Sequence, residues 1–240
     1  MVNVIGATIA ETRHQVTRLT YYRPGARQAA HEHETSQISI LLLGSLQEEA
    51  EGRKREIASP FLCFKPEGTV HSNVFGDHGA LLLSVRFHNG SEHRDAILRK
   101  GWGWWRVRTP QITSPMSKSA FRKALGSPTE PEPAHAPDWL RGVRASLEKG
   151  AHETSIAGLA RMFDVHRVHL SRCFTKHYGV TPSAFRLRHM AALALDKMVN
   201  ARAPAALAAA EAGFADQSHM VRAIRQATGL TPGHIIRTLT

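Results

Sequence analysis

Two segments, HLSRCFTKHYGVTP at residues 169–182 and HMVRAIRQATGLTP at residues 219–232, decide the fold of the C-terminal half of this chain. They align at an offset of fifty residues with five identities in fourteen positions, namely His, Arg, Gly, Thr and Pro. Apolar residues also recur at matching places, as with Phe174 against Ile224. A repeat of this size indicates one supersecondary unit used twice.

Each copy predicts two short helices joined by a tight turn, then a Gly that ends the second helix and a Thr-Pro pair that opens another. The predicted helices are residues 156–163, 166–178, 182–200, 203–212 and 217–228. In a helix-turn-helix the second helix enters the major groove of DNA. We therefore expect residues 138–240 to form an all-α DNA-binding domain.

One side of each second helix is expected to face the bases. Arginine suits this place because its fork donates two hydrogen bonds to O6 and N7 of guanine, worth about 1–3 kcal/mol of discrimination. A single surface Arg is usually only solvated, but Arg172 and Arg222 occupy equivalent places in the two copies. The candidates for base contacts are Val168, Ser171, Arg172, Gln217, Ser218, His219, Val221 and Arg222, and those for phosphate contacts are Arg167, Arg186 and Arg188.

The charge of the chain agrees with a nucleic-acid partner. Thirty-one Lys and Arg against twenty Asp and Glu give a net charge of +11 in 240 residues. Residues 138–240 hold fourteen Lys and Arg against seven Asp and Glu, so most of the surplus lies in the helical half. A basic surface of this kind lowers the free energy of binding to phosphate backbones.

The same sequence argues against several other classes of protein. The longest apolar stretches, such as residues 203–210, fall short of the roughly 18 residues that span a bilayer. Glu11 interrupts the first apolar stretch, so we expect no export signal and a cytoplasmic protein. Cys63 and Cys173 are the two cysteines and lie far apart in sequence, which argues against a disulfide framework.

The helical half resembles the DNA-binding domain of the AraC/XylS-type transcriptional regulators. The resemblance covers about residues 138–240 and depends on LSRCF and on GFADQSHMVRAIRQATGLTP, from Gly213 to Pro232. It implies two helix-turn-helices joined by one long helix, with both recognition helices in adjacent segments of the major groove. This chain departs from the usual pattern at Asp164, where the turn commonly has Gly, and at His166, where the cap is commonly Ser or Thr.

The N-terminal half reads as antiparallel β-structure. Short apolar runs between residues 18 and 87 are separated by clusters of Gly, Pro and charged residues. A short helix is predicted at residues 117–125, and residues 127–137 hold four prolines with no apolar periodicity. The expected architecture is α+β in two domains, with residues 1–126 as the first domain, residues 127–137 as a linker and residues 138–240 as the second.

The β half also resembles a known fold, the cupin β-barrel. His31-x-His33 with Gln37, followed by Pro66-x-Gly68-x-x-His71, lies at the spacing of the two cupin motifs. In metal-binding cupins the histidines and an acidic residue converge on one ion, and Gln37 stands in the acidic place here. Two alternatives stay open for His31, His33, Gln37 and His71: a metal site, or a metal-free pocket that binds an effector or only shapes the fold.

The sequence as a whole predicts a sequence-specific transcription regulator. The expected partners are double-stranded promoter DNA, a second copy of the chain in a homodimer, a small-molecule effector in the cupin-like domain and RNA polymerase if the protein is an activator. No enzymatic activity and no cofactor are expected. The alternatives are a metal-dependent cupin enzyme, such as an isomerase or dioxygenase with a DNA-anchoring domain, and an architectural DNA protein.

Overall fold

A computed structural model describes residues 4–58, 60–88, 103–106, 136–149 and 154–240. The predicted helix at 117–125 and residues 127–135 of the predicted linker lie outside these ranges, so the domain boundary stays a prediction. Among the described residues, no helix is both long and apolar enough to span a bilayer.

The N-terminal half is an antiparallel sheet of eight strands, which confirms the predicted β class. The sheet starts earlier than residue 18, because Val4–Glu11 pairs with the next strand along its length. The main order is β1-β2-β7-β4-β6-β8, with β3 on β7 and β5 on β4. The strands are β1 Val4–Glu11, β2 Gln15–Tyr22, β3 Arg27–His31, β4 Gln37–Ala50, β5 Arg53–Ala58, β6 Phe61–Lys65, β7 His71–Phe87 and β8 Gly103–Arg106.

The two long strands, β4 and β7, are paired on either side of an irregularity. Gly44 pairs with Ala80 and Leu46 with Phe75, so the four residues 76–79 of β7 lie opposite the single residue Ser45. We call residues 76–79 the β7 bulge. At Gly79, the last residue of the bulge, the backbone packs tightly against Gly44 of β4. A Cβ on Gly44 would lie 2.0 Å from the carbonyl oxygen of Gly79. Such a bulge bends the strand and carries side chains out of the regular pleat.

The C-terminal half is helical in its described residues, as predicted. The helices are α1 Asp138–Lys149, α2 Ile156–Met162, α3 Arg167–Tyr178, α4 Pro182–Asn200, α5 Ala205–Glu211, α6 Gln217–Thr228 and α7 Pro232–Leu239. The bounds predicted for α4 and α6 agree with the structure residue for residue. Thr181 caps α4 by accepting a hydrogen bond from the backbone N–H of Ala184, and Pro182 occupies the first turn, where a missing N–H costs nothing.

The first and second helix-turn-helix units are packed differently. Helices α1, α2 and α3 pack around Leu140, Leu159 and Phe174 in a separate core, to which Phe185 of α4 also contributes. Helices α4 to α7 instead share a core with one face of the sheet. The sheet contributes Leu19, Ile40 and Leu83 to this core, and the helices contribute Met190, Ile224 and Ile235. Side chains alternate between the two faces of a strand, so only every second residue of the sheet faces the helices. Leu41 and Leu82 face the other way and belong to a different core, on the opposite face of the sheet.

Polar contacts also join the two halves. The Tyr21 hydroxyl of β2 donates a hydrogen bond to the carboxylate of Asp196 on α4 at 2.5 Å. The guanidinium of Arg144 on α1 contacts Glu56 of β5 at 2.5 Å and Glu148 at 2.9 Å. The sheet is thereby fixed both to the first helix of the C-terminal half and to the long helix α4.

Candidate nucleic-acid interface and histidine cluster

The turn of the first unit is built without glycine. Asp164 follows α2 with φ of +50°, in the left-handed region that Asp adopts more readily than most residues. The backbone N–H of Val165 then donates to the carbonyl of Ala160 at 2.9 Å. His166 caps α3, because its Nδ1 accepts from the N–H of Val168 at 3.3 Å. Asp164 and His166, although they differ from the residues usual at these places, therefore still form the turn and cap the helix.

The turn of the second unit is one residue longer. Gly213 takes the left-handed place with φ of +82°, and the N–H of Phe214 donates to the carbonyl of Ala209 at 2.9 Å. Asp216 is the cap and accepts from the N–H of His219 at 2.7 Å. The carboxylate also lies favourably at the positive end of the helix dipole. Both recognition helices, α3 and α6, thus begin at a side-chain cap.

Exposure repeats along the two recognition helices. Leu170 and Phe174 are buried in α3, as are Met220 and Ile224 at the equivalent places of α6. Five exposed positions are common to the two helices, the first, second, sixth, ninth and tenth, and α3 also exposes His169 at its third. The five shared positions are Arg167, Val168, Arg172, Thr175 and Lys176 in α3, and Gln217, Ser218, Arg222, Arg225 and Gln226 in α6. The repeat in sequence is therefore also a repeat of exposed surface.

Most, but not all, of the predicted base-contact residues lie on this exposed surface. Val168, Arg172, Gln217, Ser218 and Arg222 are exposed. Ser171 and His219 are half-buried, and the ring of His219 lies against Phe214 with centroids 5.2 Å apart.

Val221 differs more clearly from its predicted position. It is half-buried and packs against the core that the sheet shares with α4 to α7. It follows Met220 directly, so it lies only about 100° around the helix from a fully buried residue. We therefore leave Val221 out of the contact set proposed below.

The structure adds residues that the sequence argument did not select. Arg225 is exposed three residues after Arg222, and Thr175 and Lys176 are exposed three and four residues after Arg172. Residues at these spacings lie on the same side of a helix. Arg225 could have been predicted from the sequence, because it lies about one helical turn after Arg222 and is also an arginine.

The first recognition helix borders a shallow groove of about 620 Å³. Arg167, Val168, Ser171 and Arg172 line it, together with Ser183 at the start of α4 and Ile156 at the start of α2. Four residues selected from the sequence are thus brought together on one concave surface with a basic rim.

The three arginines predicted to contact phosphate do not share one surface. Arg167 is exposed at the start of α3. Arg186 donates to the carbonyl of Thr154 at 3.1 Å and so holds the start of α4 against the residues before α2. Arg188 instead lines a cavity between the sheet and the helices. A step of two residues along a helix turns the side chain by about 200°, so Arg186 and Arg188 face different sides of α4. The position of Arg188 therefore does not agree with the phosphate contact predicted for it.

In the sheet, the structure brings the three predicted histidines together. The ring centroids of His31 and His71 are 4.3 Å apart, and the ring of His33 lies 5.1 Å from the first and 5.2 Å from the second. One nitrogen from each of the three residues lies within 4.8 Å of the others. We call these three residues the histidine cluster.

The histidine cluster is held in a form that suits ligation. Nδ1 of His31 lies 2.8 Å from the carbonyl of Ala29, and Nδ1 of His71 lies 3.1 Å from the carbonyl of Thr69. Such a backbone bond fixes the tautomer and leaves Nε2 as the available donor atom. Burial and the neighbouring His71 lower the pKa of His33 to about 4, and burial and Lys65 lower that of His71 to about 4. Neutral imidazoles are the form that binds a metal ion.

Gln37 is buried at the start of β4, and its amide group is already engaged. Its Nε2 donates to the hydroxyl of Ser39 at 2.7 Å. The residue that carries a carboxylate in metal-binding cupins therefore offers only an amide oxygen here. Three imidazoles by themselves match a known zinc donor set, so the residues fit a three-histidine metal site without an acidic ligand.

One family model matches most of the helical half. Residues 159–238 match the family described as Helix-turn-helix domain, which is of the AraC type. This match spans both units, from within α2 to within α7. No curated protein matches the sequence.

Many solved structures resemble part or nearly all of the chain, among them the following three. ToxT from Vibrio cholerae is 12% identical, with 95% of this chain and 100% of that chain covered at a TM-score of 0.43. The C-terminal domain of AraT, a response regulator from Geobacillus stearothermophilus, is 20% identical over 44% of this chain and 88% of its own, at 0.41. A cupin superfamily protein from Desulfitobacterium hafniense is 13% identical over 36% of this chain and 78% of its own, at 0.34.

Proposed function

We propose that this protein, whose residues 159–238 are an AraC-type helix-turn-helix domain, regulates transcription by reading two adjacent segments of the major groove with α3 and α6. The observation that carries the proposal is the repeated exposed surface of these helices, with Arg172 and Arg222 at its equivalent places. Within the described part of the chain neither guanidinium is engaged by another residue, so each can present its fork to a guanine, and such a pair contributes about 1–3 kcal/mol of base discrimination.

The helix α4 supports a two-segment mode of binding. It has 19 residues, and at a rise of 1.5 Å per residue this corresponds to about 28 Å. Recognition helices held at the two ends of such a spacer fit successive major-groove segments on one face of DNA, which are about 34 Å apart. The two units therefore read one site of about two helical turns.

The exposed basic residues around these helices serve to hold the phosphate backbone. Three of them, Arg167, Lys176 and Arg225, are exposed beside the proposed base contacts. Arg186 uses one nitrogen for the Thr154 carbonyl, and its remaining N–H groups can contact a further phosphate. Phosphate contacts fix the register of the protein but read no sequence. Each one that is lost lowers the dependence of binding on salt concentration by about one unit of slope.

Control by a small molecule and assembly into a homodimer complete the proposal. The histidine cluster gives the sheet domain a site of concentrated nitrogen donors, and the shared core joins that domain to the second helix-turn-helix unit. A change in the sheet can therefore alter the position of α6 on DNA by shifting the population of binding-competent states. If the protein is an activator, RNA polymerase is a further partner.

The experiment that tests the function is selection of binding sites from random duplexes with the full chain, at near-physiological salt and with competitor DNA. We expect two short base patterns whose centres are separated by about one helical turn. Arg172→Ala should remove the preference at one pattern and Arg222→Ala at the other. Arg202→Ala, an exposed arginine outside both recognition helices, is the control and should keep both. Similar affinity for unrelated duplexes in the unmodified protein would mean an architectural DNA protein.

A metal-dependent enzyme is the second candidate, and the geometry of the histidine cluster is what favours it. Gln37 argues against it, because an amide cannot serve as a general base. Elemental analysis of protein purified without a His-tag separates the two. Stoichiometric iron or nickel that His71→Ala removes would support a metal-dependent barrel, whereas a metal-free protein with full DNA binding would exclude that reading.

A further inference from the structure

An apolar side chain is exposed on the side of the first recognition helix that also carries Arg172. Val168 is 44% exposed, and it is the one large apolar residue exposed on α3 or α6, both of which the structure describes in full. Single exposed apolar residues are common on protein surfaces, and what distinguishes Val168 is its place. It lines the shallow groove beside α3 together with Arg172 and Thr175.

Val168, Arg172 and Thr175 form one stripe along α3. They are separated by four and by three residues, and residues at these spacings lie on the same side of a helix. The hydroxyl of Thr175 donates to the backbone carbonyl of Ser171 at 2.8 Å, so its proton is already used. Arg172 is therefore the hydrogen-bond donor of this stripe, and the residue on either side of it offers DNA no donor.

The equivalent stripe of α6 is polar throughout. Ser218 takes the place of Val168, and Arg222 and Arg225 follow it at the same spacings, all three exposed. The two units thus share the arginine that can read guanine and differ at the position one turn before it. We call the bases that α3 contacts the α3 pattern and those that α6 contacts the α6 pattern. Valine in one unit and serine in the other make these patterns different.

The chemistry of the base edges indicates what a valine reads. The apolar group that the major groove presents is the C5-methyl group of thymine. The other base edges present hydrogen-bonding groups, which an apolar side chain would leave without water and without a partner. Contact between valine and the methyl group instead removes two apolar surfaces from water. Four residues of a helix rise about 6 Å and base pairs are about 3.4 Å apart, so Val168 meets DNA within about two base pairs of the guanine at Arg172.

We infer that Val168 reads a thymine in the α3 pattern, by packing on its C5-methyl group close to the guanine that Arg172 binds. The inference rests on the proposed function and specifies it further, since the methyl contact belongs to the first unit and has no counterpart in the second. The same methyl group occurs on 5-methylcytosine. The recognised feature is therefore a 5-methylpyrimidine, and thymine is its source in unmodified DNA.

The test uses the full chain and the duplex obtained by site selection. The α3 pattern is the one that Arg172→Ala loses, and each thymine in it is replaced singly by deoxyuracil. This replacement removes the methyl group and keeps every hydrogen-bonding group of the base pair. Fluorescence anisotropy at constant salt should show one replacement that raises the Kd about three- to fivefold, the effect of one buried methyl group.

Val168→Ser separates this contact from any other effect of deoxyuracil, because it places in α3 the residue that α6 has at the equivalent position. Serine and valine have similar helix propensities, so the variant keeps α3. Its Kd values for the thymine and deoxyuracil duplexes should be equal. The salt dependence should not change, since no phosphate contact is lost. Ser218→Ala in α6 is the matched control and should keep the full deoxyuracil effect.

A third duplex distinguishes the methyl group from the rest of thymine. With a 5-methylcytosine·guanine pair at the contacted position, the unmodified protein should bind about three- to fivefold more tightly than with an unmethylated cytosine·guanine pair. Val168→Ser should bind these two duplexes equally. Equal binding of both by the unmodified protein would overturn the inference, because the methyl group would then contribute nothing.

Three further results would overturn the inference while the proposed function stands. These are an α3 pattern without thymine, a Kd that no deoxyuracil replacement changes, and a deoxyuracil effect that persists in Val168→Ser. If site selection yields no base pattern, the proposed function itself fails and the inference fails with it. The selection and the deoxyuracil series therefore separate the two failures.

Discussion

The hydroxyl of Tyr21 and the carboxylate of Asp196 lie 2.5 Å apart and connect β2 of the sheet to α4, the helix between the two DNA-binding units. Asn200, one turn further along α4, also contacts the Asp196 carboxylate and lies 3.4 Å from the Tyr21 oxygen. Burial first, and then the hydrogen bond to Asp196, raise the pKa of Tyr21 well above its usual value. The tyrosine therefore keeps its proton and stays a donor over the accessible pH range.

Removal of this hydroxyl should loosen the connection between the two halves. Tyr21→Phe keeps the ring in the core and removes one hydrogen bond to a charged group, so we expect the free energy of unfolding to fall by about 1.5–3 kcal/mol. Urea denaturation measures the loss. Tyr22→Phe is the control and should lose less, because the hydroxyl of Tyr22 accepts a longer bond, 3.3 Å from the uncharged amide of Gln28. Equal losses in the two variants would argue against a special role for the Tyr21 contact.

The two recognition arginines should behave as base readers rather than phosphate contacts. We expect Arg172→Ala and Arg222→Ala each to weaken binding to the selected site by about 1–3 kcal/mol and to relax the preference at one base position. Arg225→Ala should instead weaken binding to all sequences alike and reduce the salt slope by about one. Fluorescence anisotropy over a series of salt concentrations distinguishes them. Uniform weakening by Arg172→Ala and Arg222→Ala would reassign these arginines to the backbone.

Stability should depend on pH through His189. Burial is the main cause that lowers the pKa of His189 to about 4, and the ring of His78, whose centroid lies 4.4 Å away, lowers it further. A hydrogen bond to the backbone of Glu148 and the charge of Asp77 act in the opposite direction. An unfolded histidine titrates near 6.5, so below about pH 6.5 the unfolded chain takes up a proton that the folded protein does not. The free energy of unfolding should therefore decrease as the pH falls from about 6.5 to about 4.

His189→Gln tests this assignment. Urea midpoints measured across the same pH range should change less in this variant than in the unmodified protein, since its residue 189 does not titrate. His234→Gln, at an exposed position on α7, should leave the pH dependence as it is. A curve for His189→Gln that runs parallel to that of the unmodified protein would show that other groups cause the effect.

The irregularity between β4 and β7 should be intolerant of a side chain. Gly44 has φ of +85°, and an added Cβ would lie 2.0 Å from the carbonyl oxygen of Gly79. Strain and overpacking together should make Gly44→Ala less stable by about 2–5 kcal/mol. Gly52 has φ of +69° with nothing within 4 Å of an added Cβ, so Gly52→Ala should show only the backbone strain, about 1 kcal/mol. Thermal unfolding of the two variants measures the difference.

Much of the helical half was determined by local sequence. Asp216 and Thr181 cap helices, and Gly229 ends α6 with φ of +78°. These signals act within a few residues and do not depend on the rest of the fold. The period of apolar residues then fixed which side of α3 and α6 is buried. The base-reading candidates Arg172 and Arg222 followed from this together with the repeat.

Other features depended on tertiary structure. Whether Val221 is covered depends on the sheet that packs against α6, and whether Arg188 reaches DNA or a cavity depends on which side of α4 the sheet occupies. Neither answer is contained in nearby residues, because burial is decided by elements distant in the chain. The histidine cluster is intermediate, since its spacing was visible in sequence but the approach of His71 to His31 comes from the pairing of β3 with β7.

Local sequence therefore specified the class of each half, the repeated unit and the exposed side of α3 and α6. The tertiary structure decided how the halves are joined, because one apolar face of the sheet needs a cover and α4 to α7 supply it. That packing also places Arg188 at the wall of a cavity between them and encloses its Nη1.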